Sequence, residues 1–141
     1  MKMRTIAYWT TTVLVAAESA IGGVMDVLRL PPFTGVMAHL GYPAYFGVIL
    51  GIWKILGAVA VLAPGVPRLK EWAYAGVFFN MTGAVASHLS VGDGASALVT
   101  PTVFTALLVT SWALRPAARG GFTLNWLCDS SHLTSRPPNE R

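Results

Sequence analysis

Glu18, Lys54 and Asn80 are the residues best placed to do chemistry, because each interrupts an apolar stretch near its middle. Lys54 lies within AYFGVILGIWKILGAVAVL, residues 44–62. At about 1.5 Å per residue that run can cross a hydrocarbon core about 30 Å thick. A lysine at the centre of such a span costs about 2.5 to 3.5 kcal/mol on insertion scales, so it needs a partner. Glu18 offers the opposite charge at a similar depth in the preceding apolar run, and an ion pair inside a helix bundle would offset the desolvation of both. Ionisable groups at membrane depth are functional-site candidates by default; the alternative is a pair that only fixes helix register.

Helical spacing extends these residues into stripes. Glu18, Gly22 and Asp26 recur every four residues, as do Asn80, Ala84 and His88, with Ser87 beside them. Gly47, Gly51, Lys54 and Ala58 form a third stripe, and its two glycines allow close backbone approach. The expected site is an apolar-walled cavity between the first three spans, floored by Glu18, Lys54 and Asn80. It would open toward Asp26 and His88 on the outer side, with His39, Arg29 and Asp93 contributed by loops. Lys54, Asn80 and His88 are donors that suit the acceptor groups of an apolar ligand. A histidine near carboxylates also invites a metal reading, but histidines on a loop and at a helix end are more often hydrogen-bonded surface groups, and no metal is assigned.

The elements that must position these groups follow from the apolar runs. Spans are expected at residues 6–28, 44–62, 72–89 and 95–114, giving an all-α integral membrane four-helix bundle over residues 1–116. A cleaved signal peptide is the weaker reading of the first run, because the apolar pattern resumes after Ser19. Residues 29–43 contain three prolines and two glycines and read as a connecting loop, with apolar residues that suit the membrane surface. VPRLKE, residues 66–71, reads as a polar turn, and Pro101 as a kink or a later start of the fourth span. Residues 117–141 read as a mobile cytoplasmic tail.

Lys2, Arg4, Arg68, Lys70, Arg115, Arg119, Arg136 and Arg141 fall on one side of this arrangement, Arg29 alone on the other, and Lys54 between them, accounting for the 10 basic residues. The positive-inside rule then places both termini in the cytoplasm and the protein in the inner (plasma) membrane as a multi-pass protein. Only 11% of the 141 residues are charged while 54% are hydrophobic, too few charges to cover a water-soluble domain. The net charge of +4 does not point to nucleic acid, because the basic residues flank apolar runs instead of forming a patch interleaved with aromatics. A single cysteine, Cys128, excludes an internal disulfide and paired-thiol chemistry.

Trp53-Lys54-Ile55-Leu56-Gly57-Ala58, Pro64-Gly65, the run Arg68-Leu69-Lys70-Glu71-Trp72-Ala73-Tyr74-Ala75-Gly76, Thr82-Gly83-Ala84 and Ser87-His88 together resemble the DoxX-like family of small bacterial membrane proteins. The resemblance covers residues 4–114 and implies a four-helix membrane bundle. The family name comes from proteins tied to quinone-linked oxidation of sulfur compounds, which implies no particular reaction for this branch and no transferable catalytic residues. On this basis the expected function is a small subunit or auxiliary of a membrane redox system that binds a quinone or similar apolar molecule, with electrons supplied by a membrane redox partner. Two alternatives stand beside it: a proton-coupled or small-molecule carrier acting as a homo-oligomer through Glu18 and Lys54, and a structural scaffold without ligand.

Overall fold

A computed structural model describes residues 2–115. Among these residues the chain is entirely helical: α1 (Lys2–Val27), α2 (Phe33–His39), α3 (Ala44–Leu62), α4 (Pro67–Ser90) and α5 (Ala95–Leu114). The expected tail at 117–141 lies outside the described residues. Three helices, α1, α3 and α5, are long and apolar enough to cross a membrane. The first turns of α4 carry Arg68, Lys70 and Glu71 instead.

Two stretches expected to be irregular are helical. VPRLKE starts α4, because Pro67 occupies the first helical turn, where its missing N–H costs no hydrogen bond. The segment 29–43 holds α2, since its prolines lie outside the seven residues Phe33–His39 and Gly41 ends the turn at φ 79°. Pro101 is buried inside α5 without ending it, and its carbonyl accepts a hydrogen bond from Thr105 Oγ1 at 2.7 Å.

The distribution of side chains is the reverse of a water-soluble domain. Ile21, Trp53, Leu56, Val59, Trp72, Phe79 and Trp112 are exposed, while Thr12, Ser19, Asp26, Lys54 and Ser111 are buried. Apolar side chains outward and polar ones inward fit a lipid surround, where polar groups must be satisfied internally.

Helix α1 is the central element and packs along both α3 and α5; α4 closes the bundle against α5 and α3, and α2 sits over the ends of α1 and α3. The α1–α3 seam depends on missing side chains. A Cβ on Gly23 would meet the Gly51 carbonyl oxygen at 2.7 Å, and one on Gly51 would meet the Gly23 carbonyl oxygen at 2.5 Å. The backbones therefore touch at this crossing. On the other side, Val15, Val61, Tyr74, Val77, Met81 and Leu108 form an apolar core. Hydroxyls fasten α1, α4 and α5 together: Ser111 Oγ lies 2.6 Å from Thr12 Oγ1 and 2.8 Å from Tyr74 OH, and Thr12 donates to the Tyr8 carbonyl at 2.6 Å.

Candidate functional site

Lys54 is 8% exposed and sits between two carboxylates on α1. Its ammonium donates to Asp26 Oδ2 at 3.3 Å and lies 3.7 Å from Glu18 Oε1. The four-residue stripe explains the arrangement: Glu18 and Asp26 are two turns apart on one face, and Gly22 between them leaves the hollow that the ammonium fills. A Cβ on Gly22 would lie 2.6 Å from Lys54 Nζ. The Phe33 ring of α2 covers the ammonium at 5.1 Å from its centroid, a cation–π contact that replaces water on the remaining side.

The side chain of Asp26 is 1% exposed, and its second oxygen, Oδ1, has no hydrogen-bond partner among the described residues. Immediately after it, α1 ends in paired hydrogen bonds, Arg29 N–H to the Asp26 carbonyl at 3.2 Å and Leu30 N–H to the Met25 carbonyl at 2.9 Å. This terminus requires a left-handed residue, normally glycine, yet Arg29 adopts it at φ 54°. A side chain there costs about 1 kcal/mol relative to glycine. The strained backbone places Arg29 on the wall of a cavity of about 170 Å³ that it shares with Asp26, Thr34 and Tyr42.

A larger cleft, about 440 Å³, runs between α3 and α4. Its walls are apolar, including Trp53, Leu56, Trp72, Ala73 and Val77, and its polar residues are Lys54 and Asn80. The Lys54 ammonium is turned toward α1, so Asn80 provides the amide. Glu18 is not part of this lining, which places the cleft on the α4 side of Lys54 and the carboxylates on the α1 side.

His88 is at neither place. Its Nδ1 lies 2.6 Å from Asp93 Oδ2, and His39 Nε2 lies 2.7 Å from Asp93 Oδ1, so Asp93 joins α2 to the end of α4. Hydrogen bonds from His88 and then from His39 hold the Asp93 carboxyl below its ordinary range. A carboxyl with a depressed folded value favours the fold above its unfolded value, and that contribution is lost as pH falls through the folded one. Once the intrinsic pH dependence of exchange is divided out, amide protection in the α4–α5 loop and at the end of α2 is therefore expected to fall as pH drops below about 4, the ordinary carboxylate value. Hydrogen-exchange mass spectrometry checks this, and Asp93→Ala is expected to show low protection in these segments at every pH.

The structure thus brings Glu18, Lys54 and Asp26 together, adds Asn80 across Lys54, and sets His88 apart. Sequence reasoning missed Phe33, because its segment reads as a loop, and Gly23, because it lies one residue off the stripe. The run KEWAYAG is also accounted for. Trp72, Ala73 and Gly76 line the cleft, Tyr74 joins the hydroxyl network, and Glu71 accepts from Trp112 Nε1 at 3.0 Å and pairs with Arg115. No curated protein and no solved structure matches the chain. A family model described as the DoxX-like family matches residues 10–111, from the middle of α1 to the end of α5, and the chain belongs to that family.

Proposed function

We propose that the protein is a four-span component of a membrane redox system that binds a quinone, or a similarly flat apolar molecule, in the cleft between α3 and α4. The observation that carries this reading is Asn80: it lines an apolar cleft of about 440 Å³, and its side-chain amide makes no hydrogen bond to another described residue. That volume falls in the range of small-molecule sites, and apolar walls with one or two placed polar groups are their usual character. The amide suits a quinone carbonyl as donor, with Trp53 and Trp72 flanking the opening. Both tryptophans are exposed, which favours entry of the ligand from the lipid. Helix α4 serves as the fourth span because it packs along both α3 and α5, and its 24 residues cover about 36 Å at about 1.5 Å per residue. With four spans both termini fall on the same side, the cytoplasmic one by the distribution of basic residues. Electrons come from a membrane partner.

The test is titration of the full chain in lipid nanodiscs with a short-chain ubiquinone, read by tryptophan fluorescence. Saturable quenching is expected, and Asn80→Leu is expected to weaken it by up to about tenfold, the equivalent of one net hydrogen bond. Melting temperature should stay unchanged. Quenching that rises linearly with quinone in the membrane, with no saturation in the native protein, overturns the reading.

A further inference from the structure

We infer that the Glu18–Lys54–Asp26 triad is a proton-binding site that holds one exchangeable proton on Asp26 Oδ1, reached through the cavity beneath Arg29 and Thr34. The inference rests on the membrane placement of α1 and α3 and is independent of the quinone. Two observations carry it. The first is charge: two carboxylates face one ammonium, and with side chains 18%, 8% and 1% exposed for Glu18, Lys54 and Asp26 the group retains one buried negative charge with which no second cation of the described residues pairs. An uncompensated buried charge costs several kcal/mol, and in practice the group neutralises instead. The second is Asp26 Oδ1 itself, buried and without a partner among the described residues, on a residue that lines a cavity of about 170 Å³.

The surroundings decide what neutralises it. Facing Asp26 are Lys54 from α3, Glu18 from α1 and Arg29 beyond the end of α1. Arg29 is exposed and forms no ion pair with Asp26 among the described residues, so its charge is solvated at the mouth. Tyr42 has its hydroxyl 2.8 Å from Ser87 Oγ. His39 of α2 is engaged with Asp93, and α5 has no titratable residue. Among the described residues no three His, Cys, Asp or Glu side chains converge to hold a metal ion, so a proton fits where a cation does not. In the exchange step a hydronium in the cavity loses one O–H bond as a bond forms between the proton and Oδ1. Water remains behind and the buried group becomes neutral. Because Lys54 lines the α3–α4 cleft on its other side, the protonation state of Asp26 sets how firmly the lysine is held toward α1.

Infrared spectroscopy of the ligand-free full chain in nanodiscs at neutral pH tests the site by counting protonated carboxyls from their C=O stretch, identified by its shift in D2O. One such band is expected in the native protein. Because either remaining carboxylate balances Lys54, Glu18→Gln and Asp26→Asn are each expected to abolish it, while Lys54→Met doubles it. The amide variants are nearly isosteric, so the count survives even if Lys54→Met fails to fold. A native spectrum with no protonated carboxyl overturns the inference. A band that appears only in sodium-free buffer replaces the proton with a metal ion and overturns it equally. A band that persists in both amide variants belongs to another residue and removes the triad from consideration. None of these outcomes bears on quinone titration, so the two readings stand or fall separately.

Discussion

Gly51→Ala is expected to lower stability in detergent by about 1 to 3 kcal/mol, the usual range for overpacking a tight core. The added methyl would sit 2.5 Å from the Gly23 carbonyl oxygen and 2.8 Å from Asp26 Cβ, both on α1. Neither neighbour is the free end of a flexible side chain, so relief requires the helices to separate. Separation moves Asp26 away from Lys54, so the damage extends beyond the crossing. Gly83→Ala is the control, since a Cβ there meets nothing within 4 Å and alanine is the better helix former by up to about 1 kcal/mol. Thermal unfolding of the two variants side by side gives the result. Equal melting temperatures for Gly51→Ala and the native protein would mean that α1 and α3 do not touch at Gly51.

Lys54→Met is expected to have the larger effect, about 3 to 5 kcal/mol, the typical consequence of removing one partner from a buried ionic group. It strips the counter-ion from the one carboxylate of the triad that stays ionised. Glu18→Gln removes a contact of 3.7 Å, and Asp26 at 3.3 Å then balances the lysine by giving up its proton, so the cost is expected to stay below about 1.5 kcal/mol. Asp26→Asn falls between the two, because it alters the shorter and more deeply buried contact. Denaturation in a mild detergent orders the three variants. If Glu18→Gln proves the most damaging, Glu18 and not Asp26 is the principal partner of Lys54.

Much of this arrangement is legible in the residue order, and the parts that are not have separate physical causes. Apolar runs locate the long helices, because lipid demands about twenty apolar residues whatever the packing. The stripe Glu18-Gly22-Asp26 marks the face of α1 that meets Lys54, since helical period alone determines it. Depth counting, however, places Asp26 at the mouth of the site with His88, whereas it bonds Lys54 directly. Cβ atoms tilt toward the N-terminus of their own helix, and α1 and α3 run in opposite directions. Asp26 and the long stem of Lys54 therefore lean toward one another, which a count of Cα positions ignores. The hydroxyl group of Thr12, Ser111 and Tyr74 is illegible for another reason: it joins residues 99 and 37 positions apart, with no local signal to link them. The shift of the cleft to the α4 side of Lys54 likewise depends on which way one ammonium turns, and its direction is set by the absent side chain of Gly22.

The triad also constrains how the chain enters the bilayer. Asp26 and Lys54 are 28 positions apart, and both carboxylates precede the lysine in the order of synthesis. When α1 leaves the ribosome, its counter-ion has not yet been made, and a charge near the middle of a lone helix costs about 2.5 to 3.5 kcal/mol on the insertion scale. Lys54 carries a comparable penalty if α3 enters alone. Both penalties fall away when the opposite charges partition together, with Gly23 against Gly51 allowing the two backbones to meet. Entry of α1 and α3 together, as a paired helical hairpin, is therefore expected in place of insertion one helix at a time.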